Sequence, residues 1–201
     1  MTSTVNFYFD PSCPWTWVTS RWLVEVANHR ELDIQWRAFS LEILNADNEV
    51  PEKYVELQKF GHRALRPVAY LTAQNRNNDV AEFYTALGAA VHVEGERWSD
   101  ELIAKALRTA GAQDAIDAID DPSYDAKVAA THEHAYELAG PDVGAPIIEL
   151  LPGRHAIFGP VLAEIPRGED AVKIFDATVT LTQIPAFKEL KRGRTADAIT
   201  S

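Results

Sequence analysis

The chain of 201 residues contains one cysteine, Cys13, and one methionine. A disulfide framework needs cysteines in pairs, and a structural zinc cluster draws on several Cys and His ligands at short spacing, so neither is expected to brace this fold. Positive charge is also scarce. Nineteen Lys and Arg side chains stand against 30 Asp and Glu, and the net charge of -11 opposes attraction to nucleic-acid phosphates or anionic lipid. Nucleic acid and membrane are therefore not expected partners. No apolar run approaches the roughly 18 residues of a membrane span. The first basic side chain is Arg21, and an alternating stretch precedes it, which is not the pattern of a signal peptide. The expectation is a soluble, cytoplasmic protein. Internal repeats and Gly-rich phosphate loops are missing as well.

What is present is a 46% hydrophobic composition with five tryptophans, enough for one core with an insertion. Larger apolar side chains recur at every second position from Val5 to Phe9, the period of a strand with one strongly buried face. Asp10, Pro11 and Ser12 break it, and Pro14 suits the first turn of a helix. Trp17, Val18, Trp22, Leu23 and Val26 then carry helical spacing to Asn28, and Asp33 to Ser40 reads as a second strand, giving β-α-β with a parallel pair. From about Leu41 to Gly140 only helical spacing appears, as in Val80, Phe83, Tyr84, Leu87 and Leu102, Ile103, Ala106, Leu107. Strands return at 147–151 and 155–158, with Pro152-Gly153 expected to form a type II turn between them. Closing helices are expected over 167–180 and 185–191, the latter with its C-terminal carbonyls met by Lys188, Lys191, Arg192 and Arg194.

A lone intracellular cysteine is commonly a small buried hydrophobe. Cys13, however, falls between a strand end and a helix N-terminus, where unpaired N–H groups and the helix dipole favour a thiolate. Such sites bring a cysteine pKa from about 8.5 to roughly 3.5–7.5, so a thiolate at neutral pH is expected. Thr16, one helical turn on, is placed to donate a hydrogen bond to it. Trp15 is a candidate to stack on an aromatic substrate, whereas Trp17 and Trp22 suit the core. His132 and His134 are two apart, about 200° around a helix, which argues against a shared metal. His62, Arg63 and Arg66 could line a cleft and attract a carboxylate, or could simply be charges on an exposed helix face.

The run Phe-Asp-Pro-Ser-Cys-Pro-Trp-Thr-Trp at 9–17, the helical stretch, and Val-Gly-Ala-Pro at 143–146 before a hairpin resemble the DsbA-like branch of the thioredoxin superfamily. More closely, Thr-Ser-Arg-Trp at 19–22, Phe-Gly-Pro-Val at 158–161, Ile-Pro-Arg-Gly-Glu at 165–169 and Glu-Leu-Lys-Arg at 189–192 resemble actinobacterial mycothiol-dependent nitroreductases. The resemblance implies an α/β fold, thioredoxin-like (about 1–45 and 141–201) with an inserted all-helical subdomain (about 46–140). It implies Cys13 as nucleophile and Pro146 as a cis-proline facing it; beside them Thr16 is expected as the catalytic neighbour of Cys13, and Pro14, Trp15, Ala145 and Pro146 as substrate-binding residues. No bound cofactor and no metal are implied. Mycothiol, a low-molecular-weight thiol, is the implied cosubstrate, and a small-molecule or protein mixed disulfide the partner. A homodimer is suggested by analogy alone.

This chain departs from the family pattern twice: Thr16 replaces the second cysteine of Cys-Pro-Trp-Cys, and Ala145 stands where threonine is common. An internal disulfide cycle is thereby excluded. The expected activity is monothiol oxidoreduction through a mixed disulfide on Cys13, with nitroaromatic or mycothiolated compounds as candidate substrates. Kappa-class glutathione transferases and chromene-carboxylate isomerases, which activate a bound thiol, share this architecture and give the alternative reading. A non-catalytic thioredoxin-like binding protein is the third.

Overall fold

The computed structural model describes residues 3–153 and 155–201. Strand β1 (Ser3–Phe9) pairs in parallel with β2 (Leu32–Ala38) after helix α1 (Pro14–Ala27), and antiparallel with β3 (Ile147–Leu151), which turns back into β4 (His155–Phe158). The sheet order is β2-β1-β3-β4. Between β2 and β3 the described chain is helical: α2 (Leu41–Leu44), α3 (Glu52–Thr72), α4 (Asn77–Gly88), α5 (Asp100–Thr109) and α6 (Asp125–Ala139), with α7 (Gly168–Thr182) following the hairpin.

Alternation in β1 sets the layers. Val5, Phe7 and Phe9 are wholly buried on one face, where Ile148 and Leu150 stand beside them in register and α1 packs through Trp22 and Leu23. The Trp22 indole donates to Ala171 O of α7 at 2.9 Å, so this ring holds α1 and α7 together. Stacking of Tyr84 on Phe9 at 4.1 Å ties α4 to the same face. Burying aromatic rings of this size contributes about 2–3 kcal/mol each. Gly88 ends α4 against the ring of Trp17, where a Cβ would collide with the indole.

The opposite face of β1 is less completely covered, but Tyr8 there, 2% exposed, packs with Phe39, Ala135 and Ile147. Its hydroxyl donates to Glu149 at 2.7 Å, as does the amide of Asn6, so the buried carboxylate is satisfied across the strand pair.

Helix ends follow local chemistry. Ser40 and Ser99 cap α2 and α5, accepting from Ile43 N–H and Leu102 N–H, and Gly140, at φ 93°, ends α6. A π-helical turn, Ala89–Val93, extends α4, an irregularity that apolar spacing does not reveal.

Two sequence expectations fail here. The hairpin forms, but Gly153 does not take the left-handed conformation that a type II turn requires, and such a turn would oppose the strand twist across so short a link. The expected helix over 185–191 is also absent: after α7 the chain makes one turn, closed by Phe187 N–H to Ile184 O, and then runs without helix or strand. Leu190 is 84% exposed, so an amphipathic helix there would have nothing to bury. The basic side chains of that segment consequently have no helix terminus to satisfy.

Candidate active site

Helix α1 starts where β1 ends, and Cys13 occupies its N-cap in an extended conformation (φ -89°, ψ 113°), with Pro14 at the first helical position. Cys13 is partly exposed and the cap has no side-chain hydrogen bond. Tyr8 pairs with Ile147, so the next rung sets Phe9 beside Pro146 at the sheet end from which the Cys13 loop emerges. The Ala145–Pro146 peptide is cis, and Pro146 O accepts from Gly159 N–H at 2.8 Å. Ala145 and Pro146 are buried, whereas Pro14 and Trp15 are half-buried beside the sulfur-bearing residue.

Thr16 is wholly buried, and its hydroxyl makes no aligned hydrogen bond among the described residues. Its side chain and the backbone N–H groups of Thr16 and Trp15 act on the Cys13 sulfur in the direction that favours thiolate. They do not prevail. Burial, aided by the carboxylate of Asp10, pushes the Cys13 thiol above its ordinary value, which corrects the expectation of a lowered pKa. The helix end offers its N–H groups as foreseen, but the resting sulfur is too poorly solvated for them to win.

Asp10 is a buried neighbour of Cys13 that the sequence pattern did not single out. It is fully buried, and accepts from Ser12 N–H (2.8 Å), Ser12 Oγ–H (2.6 Å) and Leu41 N–H (2.7 Å), stapling the Cys13 loop to the start of α2. Burial still pushes its carboxyl pKa up despite these donors. A Cβ on Gly61 would lie 2.5 Å from Asp10 Oδ1, so glycine is what lets α3 pass this close.

Asp10→Asn is expected to lower the Cys13 pKa, because a like charge is removed, and to raise the thiolate absorbance and alkylation rate near neutral pH. It is also expected to destabilise the fold by about 1–3 kcal/mol in urea titration, since an amide N–H₂ would face Leu41 N–H. An unchanged Cys13 titration would contradict the Asp10 assignment.

The other candidates are otherwise employed. His62 Nε2 lies 3.1 Å from Asp125 Oδ1 and its Nδ1 3.0 Å from Ser40 Oγ. Arg66 grips Asp125 and Ile119 O, and Arg63 pairs with Asp100 and Asp120. The solvated-face reading suits Arg63, whose ion pairs are exposed, whereas His62 and Arg66 are largely covered and tie α3 to α6. Asp125, His62 and Ser40 resemble a hydrolytic triad in spacing, but Ser40 is fully buried and caps α2, so it is no nucleophile. His132 is buried, with a pKa pushed down to about 4 by desolvation, and its Nδ1 accepts from Ser40 N–H. His134 instead lies 3.9 Å from Glu149, so the two histidines serve different sites. His92, carried by the π turn, donates from Nε2 to Pro11 O at 2.8 Å and braces the Cys13 loop from α4. No sequence motif announces it.

The β-α-β start, the antiparallel hairpin, the cysteine at the first helix N-terminus and the cis-proline at the adjoining strand define a thioredoxin-like protein of the DsbA type. Among solved structures the chain is similar to the cytosolic disulfide reductase DsbM from Pseudomonas aeruginosa with GSH, at 15% identity and TM-score 0.59, covering 89% of this chain and 100% of that one. It is likewise similar to a probable DsbA oxidoreductase, SCO1869, from Streptomyces coelicolor, at 18% identity and TM-score 0.57 over 96% and 94% of the two chains. Residues 12–192 match the family model "Rv2466c-like: Mycothiol-dependent nitroreductase Rv2466c", and the chain belongs to that family. It is a thiol-dependent oxidoreductase by that membership. The uncharacterized protein Rv2286c of Mycobacterium tuberculosis is 31% identical over 193 residues, 94% of this chain and 82% of that protein.

Proposed function

We propose that the protein is a monothiol oxidoreductase in which Cys13 exchanges mixed disulfides with mycothiol. The observation that carries this reading is the pairing of a partly exposed Cys13 at a helix N-terminus with a buried, unbonded Thr16 hydroxyl held toward it. Cys13 thiolate attacks the sulfur of a mycothiolated substrate, a Cys13–mycothiol disulfide forms, and the substrate leaves as its thiolate. A free mycothiol thiolate then attacks the adduct, releasing Cys13 and forming mycothiol disulfide. Electrons for a nitroaromatic acceptor would also come from external thiols, because the chain holds one cysteine. Cys13, Pro14, Trp15, Thr16, Ala145 and Pro146 form the site in this reading. Residues 46–140 are treated as an insertion into a thioredoxin-like domain, supported by a sheet drawn only from 3–38 and 147–158.

The raised thiol pKa favours a second reading, in which a bound thiol attacks and Cys13 only holds it. Intact-mass spectrometry after exposure to oxidised mycothiol tests the first. One adduct per chain, removed by free mycothiol at a rate proportional to its concentration, is the expected result. A folded, reduced protein that takes no adduct would refute covalent exchange.

A further inference from the structure

After α7 the chain crosses the face of α1 that carries the site. The indole N–H of Trp17 donates to Thr200 O at 3.0 Å, and Thr200 Oγ–H donates to His92 O. Ile199 N–H donates to Ala163 O at 2.7 Å. His92 in turn holds Pro11, two residues before Cys13. These bonds fix the course of the last residues, although most of their side chains are exposed. Along that course the Arg194 guanidinium sits 5.3 Å from the centre of the Trp15 ring. Among the described residues no carboxylate comes within ion-pair distance of it, unlike Arg63, Arg66 and Arg76, each of which holds an aspartate. Residue 194 also lies beyond the stretch that matches the family model.

We propose that Trp15 and Arg194 together form the acceptor subsite beside Cys13, selecting aromatic substrates that carry an anionic group. The proposal rests on Cys13 being the nucleophile. An aromatic ring would pack against the part of the half-buried indole that the guanidinium leaves open, while its carboxylate meets a guanidinium that has no anionic partner among the described residues. Arg suits this place because its flat cation stacks on the indole and still presents N–H donors at its edge. In a chain of net charge -11, a local cation beside Trp15 offsets the repulsion that an approaching anion meets.

The single cysteine makes the test direct, because aryl disulfides report on Cys13 alone. Cys13 thiolate attacks the disulfide, a Cys13–aryl mixed disulfide forms, and an absorbing aryl thiolate leaves. Second-order rates would be measured with anionic dithiobis(nitrobenzoate) and with uncharged dithiodipyridine, for the unaltered protein, Arg194→Gln and Arg194→Lys. The anionic-to-neutral rate ratio is expected to fall roughly fivefold in Arg194→Gln at low salt, to be largely kept in Arg194→Lys, and to shrink with added salt in the unaltered protein. An unaltered ratio in Arg194→Gln overturns the subsite, including the case where both rates rise because the segment merely covers the sulfur. Failure of the unaltered, folded protein to react with either disulfide overturns the nucleophile reading itself, and the subsite with it.

Discussion

Cys13→Ser is expected to abolish formation of the mycothiol adduct and to reduce thiol-disulfide turnover by at least about a hundredfold. No other side chain in the sequence can form a disulfide, and a serine hydroxyl neither ionises near neutral pH nor makes an S–S bond. The fold should survive, since Cys13 is partly exposed and no cap hydrogen bond depends on its sulfur. Serine is the better N-cap, accepting from an N–H in the first turn, so urea titration is expected to show a gain of about 0.5–1 kcal/mol. Loss of exchange together with unchanged or raised stability separates chemistry from folding. Appreciable turnover in this variant would transfer the reaction to a bound thiol held near position 13.

The elements that could be read from the sequence were those set by local periodicity. Val5, Phe7 and Phe9 alternate because the face they share is apolar, and Pro14 after Cys13 marks a helix start whatever the tertiary context. Long-range polar satisfaction leaves no such trace. The buried Tyr8 and Glu149 are 141 positions apart, and their bond hides a second packed face behind two polar side chains. Asp10 reads as a turn residue in the sequence. Its three donors and full burial become evident only when α2 and α3 close over it. Burial likewise reversed the expected shift of Cys13: helix-end effects are local and legible, whereas desolvation depends on the tertiary fold around the sulfur. For the segment 185–191 the error ran the other way, since Leu190 and its basic neighbours satisfy a helical pattern but find no surface to pack on.

Thr16→Cys is expected to convert the slow, externally resolved adduct into a fast internal one. Thr16 stands at the third position of α1, one helical turn from the N-cap, and its buried hydroxyl already acts on the Cys13 sulfur. A thiol of similar size would take that place with little repacking, because no hydrogen bond has to be broken. After oxidised mycothiol forms the adduct, the introduced thiolate attacks the Cys13 sulfur, mycothiol leaves as its thiolate, and a Cys13 disulfide within the chain remains. Intramolecular attack replaces a bimolecular step, so at micromolar free thiol the adduct should vanish at least about a hundredfold faster, at a rate independent of thiol concentration. Rapid quenching followed by intact-mass analysis distinguishes the adduct from the internal disulfide. An adduct that still decays in proportion to external thiol would show that position 16 does not face the sulfur. On the proposed monothiol route the unsubstituted Thr16 would favour the thiolate of Cys13 without being able to displace a leaving thiol, so Cys13 would stay bonded to its partner until a second thiol entered the site.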